Sequence, residues 1–272
     1  MKVEAFLGWL WRQIPGYLAG GAGDAGEPRG AVTAGMGAVG SGATASKTFR
    51  QLQYERPPGA TEMVLVRHGE TVPAVTGESF DLLDGQGDPP LSPQGHDQAE
   101  RLALRLASHG IQAVYATTMR RTVQTAEPLV HQRGLELQVE RDLREVHLGE
   151  WEGGKFRRKV LERHPMALLV FEQQRWDVIP GAEAAEAFSA RVRGAVERIA
   201  SANPDRRVAV FTHAGVIGRI LAEATGSRPF AFNADNASIS HVVIAGEQWT
   251  LRRFNDTAHL DGGFTVRANP VI

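Results

Sequence analysis

The chain has 272 residues, a formal net charge of -1 and no cysteine. That length suits one large domain or two small ones. The near-neutral charge gives no electrostatic reason to expect a nucleic-acid partner. Without cysteine there are no disulfides, thiol nucleophiles or thiolate-bound metals.

Residues 1–60 stand apart from the rest. Val3, Leu7, Leu10 and Ile14 recur at helical spacing, with Phe6, Trp9 and Trp11 adding aromatic bulk. Pro15 should end that helix. From Ala19 to about Ser46 the chain is rich in Gly, Ala and Ser, which reads as flexible. Two readings of the helix stand: an extension folded onto the domain, or an amphipathic segment that contacts a membrane surface or a protein partner. Its weakly basic polar face tells against strong membrane binding. Ala5–Trp11 is too short for a secretory core and is bracketed by Glu4 and Arg12. No apolar run approaches the roughly 20 residues that span a bilayer. A cytoplasmic location is therefore expected, and oligomeric state is left open.

Folded structure is expected from near Gln53, with residues 61–272 forming the main domain. Met63–Val66 is short, apolar and without polar alternation, so it reads as a strand buried on both faces. It runs into Arg67-His68-Gly69. A long loop should follow over Val72–Pro90. Ser92-Pro93 reads as an N-cap followed by proline in the first turn, and that helix should stop near Gly110. Ile111–Ala116 is a second strand. Thr118 is expected to cap a helix ending before Gly134, and Leu135–Glu140 alternates as a short strand. Residues 143–154 read as a polar loop and 155–180 as helical stretches with Phe156, Phe171 and Trp176. Phe188, Val192, Val196 and Ile199 mark one face of a helix over Ala182–Ala202. Arg207–Thr212 is a buried strand that delivers His213-Ala214-Gly215 into another helix. Strands near 238–245 and 248–254 complete the set. Alternating strands and helices predict a three-layer α/β/α fold with a mostly parallel central sheet.

Two buried strands thus each deliver a histidine to a C-terminal turn. In a parallel sheet with these strands adjacent, the imidazoles meet at one rim, where open α/β sheets keep their ligands. The second sits at a helix N-terminus, which favours an anion. Arg67 adds a planar cation suited to phosphate. The competing readings are a structural ion-pair cluster and a metal site. No His-x-x-x-His or Asp-x-His pair supports a metal.

The stretch Leu65-Val66-Arg67-His68-Gly69-Glu70-Thr71 resembles the signature of the histidine phosphatase superfamily, also called phosphoglycerate mutase-like. Further stretches resemble that family's motifs in order. They are Asp88–Gly95 with Gln98-Ala99, Val114–Ala126, Leu143-Arg144-Glu145 with Gly149–Gly153, and Phe211–Gly215. The match spans about residues 62–260 and leaves the first 60 outside it.

The resemblance implies a phosphohistidine mechanism without metal or organic cofactor. His68 would be the nucleophile. Arg67, Arg121 and His213 would hold the phosphoryl oxygens. Glu145 would protonate the leaving group and then activate water. Phosphoryl transfer asks mainly for positioning and positive charge, which these residue types supply. The nucleophile must be neutral, and its second ring nitrogen needs an acceptor, for which a turn carbonyl is expected. Glu150 and Glu152 read as solvated or structural, and Arg120 as a surface residue. Many family members carry an asparagine six residues after the nucleophile, and here Ala74 stands there. Thr76 or a loop N–H is a candidate substitute.

Family mutases carry a long insertion between the acidic motif and the second histidine. Residues 146–212, 67 in all, lie between Glu145 and His213 here. That favours a phosphomonoesterase acting on a small phosphorylated metabolite over a phosphoglycerate-type mutase. A low-activity binding or scaffold protein, attached through the N-terminal helix, is the third reading. The 72–90 loop and Lys155, Phe156, Arg157 and Arg158 are candidate substrate contacts. The same basic residues read equally well as a solvated helix face.

Overall fold

The computed structural model describes residues 51 and 53–261. The N-terminal helix and the Gly/Ala-rich stretch, with any contact made through them, lie outside these residues. The central strand is β1 (Thr61–Arg67), whose side chains are buried on both faces apart from partly exposed Glu62. β6 (Arg207–Thr212) pairs parallel to it, with Val64 opposite Ala209 and Arg67 opposite Thr212. Beyond β6 lie β4 (Ala113–Ala116) and β5 (Leu137–Val139), both parallel. On the other side of β1, β7 (Ile239–Ala245) and β8 (Gln248–Asp256) form an antiparallel edge. The strand order is β5-β4-β6-β1-β7-β8, a mostly parallel six-stranded sheet.

The two-residue strand period sorts the core into two layers. Met63, Leu65, Val208 and Val210 pack with Phe188, Val192 and Val196 of α5 (Ala185–Ala202) and with Ile217 and Leu221 of α6 (Ala214–Thr225). Val64, Val66, Val114, Ala209 and Phe211 face the opposite layer. There they meet Leu102 and Leu106 of α1 (Pro93–Leu106) and Leu129 of α2 (Arg120–Arg133). Each fully buried aliphatic side chain contributes about 1.5–3 kcal/mol, so register in this sheet is strongly specified. A third apolar cluster gathers Trp151, Phe156, Ala167, Val170 and Ile179 around α3 (Lys155–Leu161) and α4 (Pro165–Gln173).

Two local expectations need correction. The Val72–Pro90 loop contains a small hairpin, β2 (Leu82–Leu83) with β3 (Gln86–Gly87), turning at Asp84-Gly85. An Asp-Gly pair between short apolar or polar partners is a hairpin signal. Thr118 does not cap α2: the N-cap is Met119, which has no side-chain capping bond. The Thr118 hydroxyl instead receives the Arg144 Nε–H, across to the 141–145 loop. Among the described residues no helix is long and apolar enough to cross a membrane.

The N-terminus of α1 sits as expected. Ser92 Oγ accepts the Gly95 N–H at 3.1 Å, and Pro93 occupies the first turn. This end of α1 presses on the turn that follows β1. A Cβ at Gly95 would lie 2.0 Å from the Glu70 carbonyl oxygen. Backbone, not a flexible side chain, would have to move. Gly95→Ala is therefore expected to destabilise the domain by about 1–3 kcal/mol through overpacking. Its urea unfolding midpoint, with an unchanged slope, measures this.

Candidate active site

Because β1 and β6 are adjacent and parallel, the residues after their last pair arrive side by side. His68 N–H donates to the Thr212 carbonyl at 3.0 Å. The His68 and His213 rings then lie 5.3 Å apart, centroid to centroid, at 61°. Both are buried, at 6% and 0% exposure. The rim anticipated from the two strand ends is thus one site.

Hydrogen bonds set the state of each ring. His68 Nδ1 lies 2.7 Å from the Gly69 carbonyl oxygen. A carbonyl accepts, so Nδ1 carries the proton and Nε2 keeps its lone pair. The turn itself is pinned: Gly69 N–H donates to Thr125 Oγ1 at 2.9 Å, and Asn236 Nδ2 donates to the His68 carbonyl at 3.1 Å. His213 Nε2 meets Thr117 Oγ1 at 3.2 Å, while its buried Nδ1 has no partner among the described residues. Burial pushes both imidazoles well below their usual range, and the Arg121 guanidinium adds to this. Arg67 lowers His68 further. Both rings are neutral at pH 7.

The cations are equally fixed. Arg67, the last residue of β1, donates from Nη1 to the Ala234 carbonyl at 2.7 Å. Arg121, on the first turn of α2, donates to the Gly87 carbonyl at 3.0 Å and lies 3.8 Å from Asp88. Burial lowers each guanidinium to about 10, which leaves both charged at neutral pH. Arg120 points away, paired with Asp88 and Asp81, as its reading as a surface residue anticipated.

Glu145 reaches the same cavity from the loop after the 3-10 turn Arg141–Leu143. Its carboxylate accepts the Gly215 N–H at 3.0 Å and the Val146 N–H at 3.0 Å. A Cβ on Gly215 would lie 2.4 Å from Oε1, so only glycine admits this carboxylate to the N-terminus of α6. The loop is held by Arg191 of α5, which donates to the carbonyls of Asp142, Arg144 and Glu145 at 2.6, 2.8 and 2.9 Å. Glu183 in turn fixes Arg191 at 2.6 Å.

All five anticipated site residues line one cavity that opens to solvent. Phe80, Trp151, Phe156, Trp176, Phe230 and Phe232 give it an aromatic wall. Of the basic run after Gly154, Arg157 lines the cavity. Lys155 is exposed and bonds the Glu150 carbonyl. Glu152 is structural: it accepts from Gly87 N–H at 2.8 Å and Leu148 N–H at 2.7 Å, tying β3 to the loop. Sequence reading passed over Arg191 and Gln86, whose amide donates to the Glu145 carbonyl at 2.8 Å. Ala74 is half-buried beside Gly154, and Thr76 is exposed. Among the described residues no three His, Asp or Glu side chains converge as a metal site requires.

The two neutral imidazoles link stability to pH. Unfolded, each protonates near 6.5; folded, each resists until well below that. The unfolded state therefore binds more protons below pH 6.5, and stability is lost as pH falls from there. The slope is up to about 1.4 kcal/mol per pH unit for each histidine. Urea unfolding between pH 7.5 and 5.5 should show this fall, and His68→Gln should make it shallower by about one histidine's share.

Comparison with known proteins agrees with this geometry. The profile of the histidine phosphatase superfamily, branch 1, matches residues 63–257. Phosphoglycerate mutase-like protein 4 of Arabidopsis thaliana is 33% identical over 205 residues, covering 74% of this chain and 87% of that protein. A metal-independent phosphoserine phosphatase of Arabidopsis thaliana is 32% identical over 212 residues, covering 76% and 87%. Among solved structures, a mycobacterial glucosyl-3-phosphoglycerate phosphatase superposes with a TM-score of 0.62 at 27% identity, covering 73% of this chain and 100% of that one. With the profile matched over residues 63–257 and relatives at 33% and 32% identity, this chain belongs to the histidine phosphatase superfamily.

Proposed function

We propose that this protein is a phosphomonoesterase that works through a phosphohistidine on His68 and needs no metal. The observation that carries the reading is the state of His68: a buried, neutral imidazole with its proton held on Nδ1 by Gly69, beside two charged guanidiniums. Such a ring is a nucleophile already in its reactive tautomer. Relatives named for phosphoserine and glucosyl-3-phosphoglycerate phosphatase activity support hydrolysis of a small phosphorylated metabolite.

In the first step His68 Nε2 attacks phosphorus, and the bond to the leaving oxygen breaks. Arg67 and Arg121 balance the charge spread over the equatorial oxygens. His213 Nδ1, without a partner among the described residues, is left for a phosphoryl oxygen. A proton shared between them lies on whichever side the bound ester's charge favours. Glu145 gives its proton to the departing alkoxide, which leaves as the alcohol. In the second step the Glu145 carboxylate takes a proton from water, the hydroxide attacks phosphorus, and the bond to Nε2 breaks. Phosphate leaves and His68 is restored with its lone pair.

Mutase chemistry finds less support. It requires that the phosphoenzyme be shielded from water, whereas this cavity opens to solvent, and residues 146–212 are taken up by α3, α4 and α5.

The purified protein should hydrolyse p-nitrophenyl phosphate in excess EDTA, and His68→Ala should abolish this. Activity that disappears with EDTA would refute the metal-free mechanism. Glu145→Gln should lower turnover of an alkyl phosphate about 10²–10⁴-fold. The release of nitrophenolate in the first turnover should suffer less, because that leaving group departs without a proton. Equal losses in both would remove Glu145 from the acid role.

A further inference from the structure

Arg157 belongs to no motif used above, yet it lines the catalytic cavity. It sits on α3, and its guanidinium reaches back to the segment just past the nucleophile. Nη2 donates to Thr71 Oγ1 at 2.7 Å and Nη1 to the Val72 carbonyl at 3.1 Å. The Phe80 ring lies under it, 5.4 Å from Cζ to centroid. Aromatic face and two acceptors fix its plane.

Its charge is poorly compensated. Arg120, Arg144 and Arg191 each pair with a carboxylate, at 3.0, 2.9 and 2.6 Å. Arg157 forms no ion pair among the described residues, and burial lowers its proton affinity with Glu70 only partly offsetting. It acts electrostatically on His68, Arg67 and Arg121, which places its charge in their cluster. A guanidinium offers five N–H donors, and two are spent on Thr71 and Val72.

We propose that Arg157 is a third guanidinium on the transferring phosphoryl group, reaching it from α3. The proposal rests on the phosphatase reading. It differs from a role in reading the leaving group, and from a purely structural clamp on the 71–80 loop.

The test uses Arg157→Met and Arg157→Lys in the full chain, with thermal unfolding to confirm folding. Substrates are p-nitrophenyl phosphate, whose leaving group carries no second anion, and phosphoserine. Inorganic phosphate and orthovanadate binding is measured by calorimetry, independently of turnover. For Arg157→Met, kcat/KM should fall about 10–100-fold on both esters, the effect of losing one charged hydrogen bond. Phosphate and vanadate should bind correspondingly less tightly. The acidic limb of the kcat/KM profile should move to higher pH, since a cation near His68 is gone. Arg157→Lys should recover part of the loss. Thr71→Val, which removes the gripped hydroxyl but keeps the charge, should cost much less.

Loss confined to phosphoserine, with phosphate binding unchanged, would overturn the proposal in favour of leaving-group recognition. A Thr71→Val loss equal to that of Arg157→Met, without the pH shift, would reduce Arg157 to a clamp. A wild-type protein that hydrolyses neither ester would sink the phosphatase reading. In that event the phosphate-binding comparison still decides for or against Arg157.

Discussion

The parallel pairing of β1 with β6 is the constraint on which the site depends. With Arg67 opposite Thr212, the next residues, His68 and His213, arrive side by side. A slip of one residue would send Met63 and Leu65 into the layer now filled by Val64 and Val66, and would mispack side chains of different size in two close-packed layers. The hydrophobic core thereby specifies the spacing of the two imidazoles. Catalytic geometry is a by-product of a register that burial already enforces.

Desolvation then does two kinds of chemistry at that rim. It denies the imidazoles their protons, which a nucleophile requires. It lowers the guanidiniums only to about 10, so they keep their charge. The same burial therefore leaves neutral bases and permanent cations side by side, because their starting affinities for a proton differ by several orders of magnitude. Such a cluster is costly without an anion, and a phosphoryl group is the anion its geometry fits. Glu145 is kept close to these cations by the α6 N-terminus and by Arg191, where it can serve a departing oxygen.

Much of this was legible in the residues. Strands buried on both faces read as apolar runs, and the residue that follows such a run has to lie at a sheet rim. That logic locates His68 and His213 without any alignment, and the motif resemblance adds Arg121 and Glu145. What escaped has a common cause. Arg191 lies between Ala190 and Val192 on an amphipathic helix, where periodicity tells which face is apolar but not which loop a long side chain reaches. Arg157 was legible only as one of several candidate contacts in a basic run whose members look alike in sequence, and it lines the cavity while Lys155 faces solvent. The Thr118 hydroxyl was assigned to a helix cap by local propensity, and a guanidinium from the 141–145 loop took it instead. The Asp84-Gly85 hairpin carried a readable turn signal, obscured by the glycines and prolines around it.

The central claim is that the Gly69 carbonyl holds the proton of His68 on Nδ1 and leaves Nε2 to attack phosphorus. The most direct measurement is the site and linkage of phosphate on the enzyme. Protein mixed with p-nitrophenyl phosphate is quenched in alkali within the first turnovers, digested, and mapped by mass spectrometry, with ³¹P NMR to distinguish the two ring nitrogens. The account predicts phosphate on Nε2 of His68. Phosphate on Nδ1, on His213 or on a carboxylate, or hydrolysis with no phosphoenzyme, would contradict it.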